Sequence, residues 1–434
     1  MSRCPEPPRV RIHSGRLIDP ANDVDAVQDL YLAEGQVVGV GAAPAGFRGE
    51  LEIDAAGQVL CPGLVDLATR LREPGLEHKA TIDSECRAAA SAGITTLCCP
   101  PDTDPVIDTP AVVELIRHRA SLTDTTRVVT LGAMTRGLNG EFLSEMYALQ
   151  RAGCVGVSNA MQPLANTLVE RRALEYAATF DLTVFIHADD PWLSRAGCAH
   201  EGVVATRLGL PSIPTATETA TVARFLALIE QTGVRAHFCR ITTRRALRML
   251  ARAQYDGLAV SADVAVPYLY LTEMDITDFN PQCHVLPPLR TQEDREGLRA
   301  GLAAGTAAAL CSDHQPHEAD AKAAPFPATE PGISGLDTLL PLTLRLVEDG
   351  VLPLADALHR VTAGPAQILG VPQGHLAVGA RADVCIFDPD RIWTADANSL
   401  ESQGKNTPFL GWEMKGRATC TLLGGRVVFS RDEA

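Results

Sequence analysis

Residues 62–75 read Pro-Gly-Leu-Val-Asp-Leu-Ala-Thr-Arg-Leu-Arg-Glu-Pro-Gly, an apolar run that breaks into charge. In a strand, residues two apart share a face, so Ala68 and Arg70 would present to the same side. Two imidazoles at that spacing could grip one metal ion from one direction. Alanine has no donor atom, and arginine is a fixed cation that repels a divalent metal. Elsewhere, His187 ends an apolar run, and Asp313 begins the polar stretch Asp313-His314-Gln315-Pro316-His317. An imidazole and a carboxylate of this kind could act as metal ligands or as acid and base. The twelve cysteines include no Cys-x-x-Cys pair, and most lie in apolar runs. That pattern predicts reduced, buried thiols.

Such residues need a frame that gathers strand ends. The middle of the chain alternates apolar runs with helical periodicity, the sign of βα units around a parallel sheet. Candidate strands are Leu60–Leu67, Ile94–Cys99, Val128–Gly132, Val155–Ser158, Thr183–His187, Ala236–Cys239, Ala259–Ala262 and Ala307–Ser312. Helical stretches between them include His78–Ala92, Pro110–Ala120, Leu168–Thr179, Thr215–Gln231 and Thr243–Tyr255. About eight strands is what a (β/α)8 barrel requires, with working residues at the C-terminal strand ends. Residues 9–60 and the tail beyond 375 are instead short, turn-bounded strands. The expected organisation is an N-terminal sandwich part (1–58), a barrel (59–374) and a C-terminal sandwich part (375–434). Residues 317–332, rich in Ala, Pro and Glu, suggest a mobile surface loop.

The chain has 434 residues, 46% hydrophobic content and a net charge of −15 without long charge runs. An acidic balance argues against nucleic acid or an anionic membrane as partner. No apolar stretch approaches the length of a membrane span. The first residues, Met1 to Arg9, lack the apolar core of a signal peptide, so the expected location is cytoplasmic.

Several landmarks fall in one order: Leu71-Arg72-Glu73-Pro74-Gly75, Cys98-Cys99-Pro100-Pro101-Asp102-Thr103-Asp104-Pro105 and Ile186-His187-Ala188-Asp189-Asp190-Pro191. Pro287-Pro288-Leu289-Arg290, Ser312-Asp313-His314-Gln315-Pro316-His317 and Asn406-Thr407-Pro408-Phe409 follow. Over nearly the whole chain this resembles the dihydroorotase branch of the amidohydrolase superfamily. The resemblance implies an amidohydrolase-type TIM barrel with a small composite β-sandwich from both termini. It also implies a metal set whose first-strand histidines fall on Ala68 and Arg70. The strand-four carboxylate falls on Asn159, and the strand-six histidine on Arg240. Only His187 and Asp313 remain of that set. The family's carboxylate-binding arginine falls on Arg72, and its accompanying asparagine on Asp102. A further asparagine falls on Leu286, and a histidine pair on Pro267 and Tyr268.

By this resemblance, His187 and Asp313 are vestigial metal ligands, Asp313 is a vestigial catalytic base, and Arg72 is a vestigial substrate-binding residue. No cofactor is expected. Arg70 and Arg240 are expected to supply fixed cations to Asp313, and Arg72 to pair with Asp102 or Glu73. The implied role is a non-catalytic dihydroorotase-like subunit assembling with the aspartate transcarbamoylase catalytic chain as a homo- and hetero-oligomer. The alternative is an active dihydroorotase, or a hydantoinase or allantoinase relative, with an atypical zinc site. That site would draw on His187 and Asp313, joined by His314, His317 or His284, which read more simply as surface or loop histidines.

Overall fold

The computed structural model describes residues 7–431. Eight parallel strands form its centre: β1 (Leu64–Asp66), β2 (Ile94–Cys99), β3 (Arg127–Ala133), β4 (Gly156–Ser158), β5 (Val184–His187), β6 (Ala236–Cys239), β7 (Val260–Ala265) and β8 (Ala309–Cys311). They pair in that order. Every residue of β2 is buried, as expected of a parallel strand covered on both faces. The sheet closes just past β1 and β8, where His314 N donates to Ala68 O (2.9 Å) and Arg70 N donates to His314 O (2.9 Å). The arrangement is a (β/α)8 barrel.

Helices cover the strands, and their ends are written in the sequence. Thr81 and Ser84 form a reciprocal capping box at the start of Ile82–Ser91. Thr243 caps Arg244–Tyr255 through Ala246 N. Ile82–Ser91 buries Ile82, Cys86 and its alanines, and Arg244–Tyr255 buries Ala246, Leu247, Leu250 and Ala253 with its arginines turned away.

The two ends of the chain build two further sheets. Leu30–Ala33 and Leu51–Asp54 flank Val10–His13, with Gln36–Val40 outside. The second sheet joins Arg16–Asp19, Val24–Val27 and Val59–Pro62 to Val384–Thr394, Glu413–Leu423 and Arg426–Ser430. Ile12, Leu17, Leu30, Leu60, Val384 and Leu422 fill the space between them. This is a composite β-sandwich.

The expected strand Leu60–Leu67 is in fact two. Val59–Pro62 pairs with Val384–Phe387 in the terminal sheet, so a barrel boundary at 59 lies too early. Gly63 makes the break: a Cβ there would sit 2.2 Å from Thr95 Oγ1, so only glycine lets the chain turn against β2. Residues 317–332 also differ from expectation. They contain the short turns Ala319–Lys322 and Phe326–Ala328, and Lys322, Phe326 and Thr329 are buried. Lys322 Nζ donates to Glu330 O (2.6 Å), and Thr329 Oγ1 lies 2.8 Å from His284 Nδ1. The loop is packed onto the barrel by these contacts.

Candidate functional site

The residues marked by the sequence meet at the C-terminal mouth of the barrel. Arg70 follows β1, Asp102 follows β2, His187 ends β5, Arg240 follows β6 and Asp313 follows β8. Arg70, Arg240 and Asp313 are only 6%, 5% and 6% exposed, which puts their charges out of reach of bulk water. Three of the mouth residues, Arg72, Arg240 and Asp313, adopt φ of 61°, 52° and 45°, in the left-handed region that non-glycine residues avoid. Such conformations cost of order 1 kcal/mol or more each and persist only where surrounding contacts impose them.

A continuous line of charge crosses the mouth. Arg70 Nε donates to Asp102 Oδ2 at 2.8 Å, and Arg70 Nη1 lies 3.5 Å from Asp313 Oδ1. Arg240 Nε approaches the same Asp313 oxygen at 3.5 Å. Arg240 Nη2 lies 3.2 Å from His187 Nδ1. A guanidinium can only donate, so His187 Nδ1 must be the acceptor and Nε2 carries the ring proton. Gln315 Nε2 donates to the other Asp313 oxygen at 3.1 Å.

The electrostatics follow. Burial pushes the His187 pKa well below the ordinary histidine value, and Arg240 and Arg70 push it further. The imidazole is neutral. Burial also pushes the Asp102 carboxyl upward, but the charge and hydrogen bond of Arg70 outweigh it and hold the pKa below the usual carboxylate value. For Asp313 burial is the largest influence and raises the pKa, against the pull of Arg240 and Arg70. Burial works against the Arg240 charge too, yet Asp313 more than restores it, and that guanidinium is held above its ordinary value. The cluster is thus one carboxylate oxygen held between two guanidinium groups.

Arg72 makes neither expected pairing, because Arg70 takes Asp102 and Arg119 takes Glu73. Its Nε instead donates to Pro316 O (3.0 Å), and its Nη2 lies 3.0 Å from His317 Nε2. Lys79 Nζ sits 3.2 Å from His317 Nδ1. Burial, then the neighbouring Arg70, brings the Arg72 pKa down to about 10. Burial and the cations around it bring His317 down to about 3. Lys79 is a part of this cluster that sequence reasoning missed. The signal was a lone lysine close after the Leu71–Gly75 landmark.

The other positions make structural contacts. Ala68 contributes only its backbone oxygen to barrel closure. Asn159 Oδ1 accepts from Thr135 Oγ1 (2.7 Å), and its amide nitrogen donates to Gln162 O (3.0 Å). Pro267 and Tyr268 lie buried in the turn Val266–Leu269, and the Tyr268 hydroxyl donates to Pro287 O. His284, His314 and His317 are not surface histidines: each is buried. His314 accepts from Gly335 N (3.1 Å) through Nδ1, so its Nε2 donates to buried Glu85 (2.8 Å). His284 is held by Thr329 and lies against the Phe326 ring, with centroids 4.9 Å apart.

These residues do not fit a zinc ion. Three or more donors are usual for a catalytic zinc site. Among the described residues, the one group of three such donors within 4.8 Å of each other is His237, Cys239 and Asp263, which includes neither His187 nor Asp313. That group is already engaged: Asp263 takes His237 Nε2 at 3.0 Å and the backbone N–H of Arg240. Around Asp313 the positions beside the carboxylate are held by guanidinium groups. The space lined by Arg70, Arg72 and Asp102 is about 10 Å³, enough for roughly one water. A wider cleft of about 430 Å³ opens above it between Thr103, Leu138 and Pro163.

A family model described as "Dihydro-orotase-like" matches residues 57–246, and one described as "Amidohydrolase family" matches residues 204–429. A dihydroorotase-like protein of Pseudomonas aeruginosa is 51% identical over 96% of this chain and 99% of its own length. The chain belongs to the dihydroorotase-like amidohydrolases. A second dihydroorotase-like protein, from Pseudomonas putida, is 50% identical over 96% of this chain and 98% of its own. A dihydroorotase of Syntrophotalea carbinolica is 42% identical over 97% of this chain and 99% of its own. Among solved structures, the L-hydantoinase (dihydropyrimidinase) of Arthrobacter aurescens superposes with a TM-score of 0.88 at 24% identity, over 98% of this chain and 97% of that one. That likeness supports the amidohydrolase barrel with its β-sandwich. No helix among the described residues is long and apolar enough to cross a membrane.

Proposed function

We propose that this chain is a non-catalytic dihydroorotase-like subunit, cytoplasmic, that assembles with and stabilises aspartate transcarbamoylase in de novo pyrimidine biosynthesis. The observation that carries it is the Arg70–Asp313–Arg240 cluster at the barrel mouth. At an effective dielectric of about 20, a dication roughly 4 Å from one guanidinium is opposed by about 8 kcal/mol. Two such groups flank the carboxylate that the family uses as ligand and base. Without a metal, a water there keeps its ordinary high pKa and is a poor nucleophile. The arginines also answer what metal loss leaves behind, since a lone buried carboxylate is strongly destabilising. The barrel is thereby stable without metal, as a scaffold must be. The partner follows from the family resemblance, and the net charge of −15 suits a protein partner better than a nucleic acid.

Co-expression with the aspartate transcarbamoylase catalytic chain of the same organism, followed by size-exclusion chromatography and transcarbamoylase assay, tests this role. Co-elution, with activity lost when this chain is omitted, is the expected result. Separate elution with undiminished transcarbamoylase activity would overturn it. The alternative of an active dihydroorotase or related cyclic amidohydrolase draws on the name carried by the 42% identical relative. It requires donors that the mouth does not bring together.

A further inference from the structure

At the end of the barrel opposite the arginine cluster, the starts of β5 to β8 surround an open cavity of about 440 Å³. Its wall is largely apolar, with Leu258, Val260 and Ile368, and Arg235 is the charged residue among those lining it. This end of a TIM barrel ordinarily serves stability rather than chemistry. Here Ser261 of β7, partly exposed, lines the cavity.

Ser261 does not stand alone. His237 on β6 is its direct partner across the parallel pair, and Asp263 lies two residues further along β7, on the same face. Ser261 Oγ is 2.9 Å from His237 Nδ1, and His237 Nε2 is 3.0 Å from Asp263 Oδ2. The other Asp263 oxygen accepts from Arg240 N and from the Cys311 thiol. Toward a carboxylate that accepts from those donors, His237 Nε2 takes the donor role. In the neutral ring Nδ1 is the acceptor, and the Ser261 hydroxyl donates to it. This leaves a cavity-lining serine with its hydroxyl against an imidazole, and that imidazole oriented by a buried carboxylate. That is the arrangement of an activated serine nucleophile.

We propose that Ser261 is an acyl-accepting nucleophile with His237 as general base and Asp263 as positioning residue, acting on small carboxylic esters that carry an anionic group. Ser261 Oγ forms a bond to the ester carbonyl carbon as its proton passes to His237 Nδ1. The carbon–oxygen bond to the leaving alcohol breaks, and the alcohol takes that proton. Water then adds to the acyl-serine, giving its proton to His237, and the carboxylic acid departs as the proton returns to Ser261 Oγ. Arg235 selects the anionic group. Its Nη2 is fixed by Asp181 through the backbone oxygen (2.9 Å) and the carboxylate (3.1 Å). The site is separate from the barrel mouth, so it stands whether or not the scaffold role does.

The test uses the full chain with a fluorophosphonate probe, and with p-nitrophenyl butyrate and the p-nitrophenyl monoester of glutaric acid. Peptide mass spectrometry should place the label on Ser261, and Ser261→Ala should abolish labelling and ester turnover. That substitution is small and at a partly exposed position, so the fold survives it, as circular dichroism would check. His237→Gln keeps hydrogen-bonding groups but removes the base, and should slow labelling at least about 100-fold. Arg235→Ala should raise KM for the glutarate ester about tenfold more than for the butyrate ester. An unlabelled Ser261, or wild-type rates in Ser261→Ala or His237→Gln, would overturn the proposal. Equal effects of Arg235→Ala on KM for the two esters would overturn the anionic substrate class.

Discussion

Replacing Arg240 with methionine keeps most of the side-chain volume while deleting one of the two cations that hold Asp313. The structure sets the size of the effect. Unit charges 3.5 Å apart attract by about 5 kcal/mol at an effective dielectric of about 20. Some of this is offset because the guanidinium no longer has to be desolvated. Breaking a buried pair by removing one partner typically costs about 3–5 kcal/mol. Arg70 stays beside Asp313 at 3.5 Å, so Arg240→Met should fall near the lower end, about 3 kcal/mol. Asp313→Asn in the Arg240→Met background removes the orphaned charge and should recover a large part of that loss. Equilibrium urea denaturation of wild type, both single variants and the double variant gives the coupling directly. The expected coupling is at least about 1.5 kcal/mol, within the range for residues sharing one ion-pair network. Additivity within about 0.5 kcal/mol, or an Arg240→Met variant as stable as wild type, would refute the view that arginine replaces metal as the counter-charge.

Stability should fall as pH drops below about 6.5, because His200, His284 and His317 are held down to about 4, about 4 and about 3, chiefly by burial. A depressed histidine means the unfolded chain binds more protons in that window, so each one costs about 2 kcal/mol by pH 5, and urea midpoints at pH 7.5 and pH 5 would show it. A midpoint that rises on acidification would contradict the assignment. Glu85→Ala should cost about 3–5 kcal/mol, since Glu85 accepts from His314 (2.8 Å) and Ser402 (2.7 Å), both fully buried; a loss under about 1 kcal/mol would be inconsistent with that role. Gly63→Ala should destabilise the chain by several kcal/mol, because the added Cβ meets Thr95 at 2.2 Å, and thermal melting would reveal it.

Much of the frame was legible because parallel barrel strands are continuous apolar runs, and β2 and β5 lie almost where Ile94–Cys99 and Thr183–His187 predict. The split at Gly63 was not, since an apolar run says nothing about which of two sheets each half joins. The pairing of Arg70 and Arg240 with Asp313 could be expected because strand ends converge in a barrel. Which arginine takes Asp102 could not, because Arg70 and Arg72 differ by one strand repeat, and the left-handed turn at Arg72 redirects its side chain toward His317. The histidines were misjudged for a similar reason. His314 finds Glu85 229 positions away, and no local pattern records such a partner.

The most direct test of the central claim is zinc content by elemental analysis of the purified chain after zinc supplementation, with dihydroorotate hydrolysis assayed on the same preparation. Far less than one zinc per chain and no turnover above background are the expected results. Stoichiometric zinc accompanied by dihydroorotate hydrolysis would contradict the claim.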